Sequence, residues 1–206
     1  MKKYKKLAMF GGTFSPIHNG HIAALKAYVE EIHPDVVYIV PTATPPHKVR
    51  DDTVSDSDRI EMINLALNGF SIDCEIVISD IEFKRGGKSY TVDTVKELLK
   101  IAEKVFFFCG TDMLLTVDMW HEHKKLLSIA SIAYMQREDD LRYDAEVSTK
   151  ARELTALYGT EIVALPPVSD EISSSMVREA VYSGQDITHL VPKNVAEYIA
   201  EHHLYK

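Results

Sequence analysis

The stretch that most constrains this chain is an apolar run that stops on two glycines, turns, and becomes a helix. Residues 7–10 are strand-like; Gly11-Gly12-Thr13-Phe14-Ser15-Pro16-Ile17-His18-Asn19-Gly20-His21 follows; residues 22–29 then carry good helix formers with apolar side chains at helical spacing. Strand, glycine-rich turn and helix in that order form a phosphate cradle. Gly11 and Gly12 lack a Cβ, so backbone N–H groups there can approach a phosphate closely. The helix behind them aims the positive end of its dipole at the same place. His18 and His21, three residues apart at a helix start, lie on one face and can reach one ligand. Taken alone, the stretch is also compatible with a tight turn carrying surface histidines, or with half a metal site. The other candidate ligands for a metal, His121 and His123, lie far off in sequence.

Strand and helix signals alternate along the whole chain. Apolar runs at residues 36–40, 75–79, 105–109, 131–136 and 161–165 read as further strands. Helices are expected at 57–67, 91–102, in pieces over 113–127, and at 144–158, 174–182 and 192–202, with a cap at Ser89 or Thr91. Residues 41–48, 83–90 and 137–143 read as loops, and the acidic residues of 51–58 as solvated loop charges. Repeated strand–helix units predict an α/β fold. It is Rossmann-like and doubly wound, with a mostly parallel sheet and helices on both faces. Ligands in such sheets collect where strand ends meet helix starts.

At 206 residues one domain spanning 1–206 is expected, its helical part from about 170 packed on the rest. A net charge of -8 argues against non-specific nucleic-acid binding, which needs a basic footprint. Cys74 and Cys109 show no metal-ligand spacing and read as buried thiols. The apolar run after the basic N-terminus breaks at Gly11, too early for a signal peptide, and no run is long enough to span a membrane. A cytoplasmic protein is the expectation.

The glycine-histidine stretch resembles the G-G-T-F-D-P-x-H-x-G-H signature of the nucleotidyltransferase superfamily, with Ser15 where that family usually has Asp. Within the superfamily the chain is most similar to the bacterial nicotinate-nucleotide adenylyltransferases. Four later elements carry the same resemblance: Thr44-Pro45-Pro46-His47-Lys48, Ser89-Tyr90-Thr91-Val92-Asp93-Thr94, Gly110-Thr111-Asp112 followed by Trp120, and Ile172-Ser173-Ser174-Ser175-Met176-Val177-Arg178. The resemblance implies that Gly11, Gly12, Thr13 and Phe14 shape the ATP site together with Gly110, Asp112, Ser173 and Ser174. It implies phosphate-directed catalytic roles for His18, His21 and Arg178. Lys48, Tyr90, Thr91, Trp120 and His121 become the acceptor-binding set, with Thr91 near a nicotinate carboxylate and Trp120 stacked on the pyridine ring.

The implied reaction is adenylyl transfer from ATP to nicotinate mononucleotide, giving deamido-NAD⁺ and pyrophosphate in NAD biosynthesis. Mg²⁺ is expected to ride on the ATP phosphates, with no dedicated protein site. Alternatives are adenylyl transfer to phosphopantetheine or nicotinamide mononucleotide, or a non-catalytic nucleotide-binding regulator. Neither nucleic acid nor membrane is an expected partner, and self-association into a homo-oligomer is left open.

Overall fold

A computed structural model describes residues 3–43, 54–135, 141–168 and 172–206, except for the side chains of 141–144. Six strands form one sheet: β1 (Tyr4–Gly12), β2 (Val36–Pro41), β3 (Glu75–Ile78), β4 (Ala102–Gly110), β5 (Ser131–Met135) and β6 (Ile162–Leu165). Their order is β3-β2-β1-β4-β5-β6, and every pairing is parallel. This is the doubly wound arrangement, in which the order reverses between β1 and β4.

The register shows what that reversal does. The β1–β4 ladder ends at Met9 opposite Phe107. Beyond it β1 runs on beside β2 to Gly12 opposite Pro41, and β4 runs on beside β5 to Gly110 opposite Met135. The two central strands therefore part at their carboxyl ends and open a crevice. The glycine-histidine stretch leaves one lip of it, and Gly110-Thr111-Asp112 leaves the other.

Alternation along the strands divides the core in two. On one face Ala8 and Phe10 of β1 pack with helices α1 (Asn19–Ile32), α2 (Asp56–Leu67), α8 (Ser174–Tyr182) and α9 (Lys193–Glu201). On the other, Leu7 and Met9 pack with α4 (Thr91–Leu98), α5 (Thr111–Thr116), α6 (His123–Ile129) and α7 (Leu141–Tyr158). Strands buried on both faces are why these segments read as unbroken apolar runs.

Several boundaries differ from the sequence expectation. A short helix α3 (Ile81–Arg85) runs into the stretch 83–90 that reads as loop. Its five residues are too few to show a period. Helix α4 stops at Leu98, and Ala102 already belongs to β4, because Tyr4 pairs with it. Neither Ser89 nor Thr91 caps α4: the N-cap is Tyr90, without a side-chain cap bond. Helix α7 takes in 141–143, assigned to a connection by their charge. Asp56 and Asp58 are not loop charges but lie in the first turn of α2, where Ser55 and Asp58 form a capping box. Among the described residues no helix is long and apolar enough to cross a membrane.

Candidate active site

His18 is the N-cap of α1, and its environment is fixed by its own turn. Its Nδ1 accepts the His21 N–H at 3.3 Å, while His21 Nδ1 accepts the His18 N–H at 3.3 Å, a capping box built from two imidazoles. The rings lie 3.7 Å apart between centroids, and Phe14 meets the edge of His21 at 5.0 Å. Because each Nδ1 accepts a backbone proton, each neutral ring carries its own proton on Nε2, the nitrogen left to donate to a ligand. Burial lowers the pKa of His18 to about 4. Burial, and then the neighbouring His18, holds His21 well below the ordinary histidine value. Two neutral donors result.

The glycines of this stretch do different work from one another. A Cβ on Gly12 would come within 2.9 Å of the Phe14 ring, so Gly12 makes room for that buried side chain. Gly11 is exposed, and a Cβ there would meet only ordinary contacts, which suits an approach by ligand. Gly20 is the tightest of the helix start: a Cβ would lie 3.2 Å from His18 Nδ1 and 3.3 Å from the Ile172 carbonyl. The sequence marks Gly20 only as part of a signature. Its role, letting the far end of the chain close over His18, needs coordinates.

Loop 13–18 is held from outside by residues near the C-terminus. The Ser174 hydroxyl donates to the Pro16 carbonyl at 2.9 Å, and Arg178 Nη1 donates to the Ser15 carbonyl at 2.8 Å. Arg178 Nη2 reaches Ser175 Oγ at 3.0 Å, and Ser173 caps α8 by accepting the Met176 N–H. Asn19 N–H donates to the Leu190 carbonyl. Ser15, at the position of the family Asp, is buried, and its hydroxyl shares a 3.2 Å hydrogen bond with the Tyr205 hydroxyl. Arg178 therefore contacts a carbonyl and a hydroxyl here, both neutral.

The opposite lip is built from α4 and α5. Gly110 is the N-cap of α5 and Asp112 lies exposed in its first turn; the Thr111 hydroxyl donates to the Met135 carbonyl at 3.1 Å. Trp120, partly buried, sits 6.2 Å from Phe107, the last β4 residue paired with β1. The Tyr90 and His121 rings lie 4.1 Å apart between centroids, tilted by 31°. Thr91 opens α4, and beside it Ser89 is buried with a hydroxyl that has no partner among the described residues. An unfilled donor next to an uncapped helix start suits an anion. Glu82 and Arg85 of α3, which the sequence did not single out, hold α4 through Thr94: Thr94 Oγ1 donates to Glu82 Oε1 at 2.9 Å and accepts from Arg85 at 2.7 Å. Lys48 lies outside the described residues. No cluster of three or more His, Cys, Asp or Glu among the described residues could hold a metal ion.

Residues 9–180 match the family model described as cytidylyltransferase-like. A protein of Dehalococcoides mccartyi named probable nicotinate-nucleotide adenylyltransferase is 36% identical over 205 residues, 97% of each chain. One of the same name from a Thermoanaerobacter species is 35% identical over 213 residues, covering 100% of this chain and 97% of its own. The solved structure of Plasmodium falciparum nicotinic acid mononucleotide adenylyltransferase complexed with APC shares the fold, with a TM-score of 0.76 at 22% identity over 98% of this chain and 97% of that one. With glycine-histidine loop, switch-point crevice and whole-length likeness in agreement, the chain belongs to the cytidylyltransferase-like family and, within it, to the nicotinate-nucleotide adenylyltransferases.

Proposed function

We propose that this chain moves the adenylyl group of ATP onto the phosphate of nicotinate mononucleotide. An oxygen of the acceptor phosphate forms a bond to the α-phosphorus. The bond from that phosphorus to the bridging oxygen breaks, and pyrophosphate leaves with the electron pair. Deamido-NAD⁺ is the other product. The acceptor is already ionised, so neither a general base nor a covalent enzyme intermediate is needed. Cys109 is unsuited to such a role: it is buried, and burial pushes its thiol pKa up.

The observation that carries the reading is the grip of α8, near the C-terminus, on loop 13–18, at the crevice where β1 and β4 part. In this reading the Nε2 protons of His18 and His21 point to the triphosphate, with Arg178 as its cationic neighbour. Positioned donors that meet the charge developing on the transferring group are the main catalytic resource of phosphoryl chemistry. Gly11, Gly12, Thr13 and Phe14 line the phosphates, Ser173 and Ser174 close the site from α8, and Gly110 and Asp112 face the adenosine. Thr91, Ser89 and the start of α4 take the nicotinate carboxylate, and Trp120 with the Tyr90–His121 pair borders the pyridine ring. Mg²⁺ belongs to the substrate in this scheme and arrives on the ATP phosphates.

Pyrophosphate release from ATP, measured with nicotinate mononucleotide, nicotinamide mononucleotide and phosphopantetheine in turn, tests the proposal. Release is expected to be fastest with nicotinate mononucleotide. Preference for either other acceptor would reassign the substrate, and no release with any of them would remove the enzyme reading in favour of a regulator.

A further inference from the structure

Arg59 has no accessible surface, although it is a charged residue that neither motif nor spacing singles out. It lies in the first turn of α2. Its Nη1 donates to the Thr13 carbonyl at 2.7 Å and the Thr42 carbonyl at 2.9 Å, and Nη2 pairs with Asp56 Oδ1 at 2.6 Å. The Phe83 ring lies 5.1 Å from the guanidinium carbon. Thr13 follows the end of β1 and Thr42 the end of β2, so one side chain ties two neighbouring strand ends together from inside the protein.

We propose that Arg59 is a positioning residue for the polyphosphate loop. It acts through the Thr13–Phe14 peptide, and the inference rests on the triphosphate reading above. That peptide is trans, since the cis bond of the described chain is Ser15–Pro16. In a trans peptide C=O and N–H point in opposite directions. With the Thr13 carbonyl drawn inward onto Arg59, the Phe14 N–H is turned outward. Among the described residues that N–H has no hydrogen-bond partner. A buried side chain thus sets the direction of a main-chain donor in the cradle.

The demand is specific to arginine. A planar guanidinium presents several donors in a fixed fork and can satisfy two carbonyls and a carboxylate at once. A lysine ammonium in its place would be a compact point charge on a flexible stem, unable to reproduce that span. A charge buried this deeply is also costly to leave unpaired, which keeps the tie closed.

The test uses wild type and Arg59→Lys, with Arg59→Met as the uncharged comparison. Protein labelled with ¹⁵N-phenylalanine is titrated with pyrophosphate, and ATP-dependent turnover is measured in parallel. In wild type the Phe14 amide resonance is expected to shift on pyrophosphate binding. In Arg59→Lys the same shift should shrink, pyrophosphate affinity and kcat/KM for ATP should each fall at least about tenfold, and the KM for the acceptor should change far less. A Phe14 amide unmoved by saturating pyrophosphate in wild type would overturn the proposal, whether or not either variant folds. A folded Arg59→Lys that binds pyrophosphate as wild type does would overturn it as well. Wild type that binds pyrophosphate through Phe14 but transfers nothing would sink the enzyme reading and leave the role of Arg59 standing.

Discussion

His18 and His21 cap each other's backbone, and each therefore presents a neutral ring whose only proton sits on Nε2. The arrangement has a pH signature. Burial lowers His18 from its ordinary value of 6.5 to about 4 in the folded chain, and His21 moves the same way. Between those values the unfolded chain binds protons that the folded chain does not, so stability falls as pH drops. For His18 alone the difference is roughly 3 kcal/mol. Thermal melts from pH 7.5 to 4.5 should show a Tm that declines below about pH 6.5, and less steeply in His18→Asn. A Tm flat across that range would show that the rings are not desolvated.

On the proposed mechanism, His21→Ala removes one phosphate donor; in the structure it removes one half of the capping box. Turnover is expected to fall by about 10²–10³, the usual loss for one donor to a developing oxyanion. Stability should fall by only about 1 kcal/mol, the usual worth of a cap. Pyrophosphate release alongside a denaturant melt separates the two effects. Loss of both in proportion would make His21 a structural residue.

Tyr205 lies at the far end of the chain from Ser15 and shares a hydrogen bond with it; burial pushes the Tyr205 hydroxyl pKa up to about 12. Tyr205→Phe leaves the buried Ser15 hydroxyl without this partner and should cost about 1–2 kcal/mol in urea unfolding. Ser15→Ala in the Tyr205→Phe background should then cost little more, because the pair acts as one unit.

Trp120→Ala tests the acceptor side. The expected result is a KM for nicotinate mononucleotide raised about tenfold, as for loss of a 1–1.5 kcal/mol ring contact, with the KM for ATP nearly unchanged. Steady-state kinetics with each substrate varied in turn decides it.

Much of this molecule is legible in its sequence, and the limits have physical causes. Strands β1, β2, β4 and β5 announce themselves as apolar runs because both faces of the sheet are covered there. The glycine-histidine stretch is legible because its chemistry is local: His18 and His21 meet within one helical turn. Contacts set by tertiary closure are not. Nothing in the sequence places Arg59 beneath Thr13, 46 residues away, or brings Ser174 to Pro16 across 158. A buried arginine on a polar helix reads as a surface charge. Glu82 and Arg85 were missed for a related reason, since five residues of α3, of which Glu82 alone is buried, carry too little pattern to mark a helix.

A crystal structure of the protein with a non-hydrolysable ATP analogue and nicotinate mononucleotide reads the central geometry directly. Nε2 of both His18 and His21, together with the Phe14 N–H, should lie within about 3.2 Å of phosphate oxygens, with the α-phosphorus facing the acceptor phosphate across the β1–β4 crevice. A triphosphate bound elsewhere, with both imidazoles turned to protein or solvent, would contradict it.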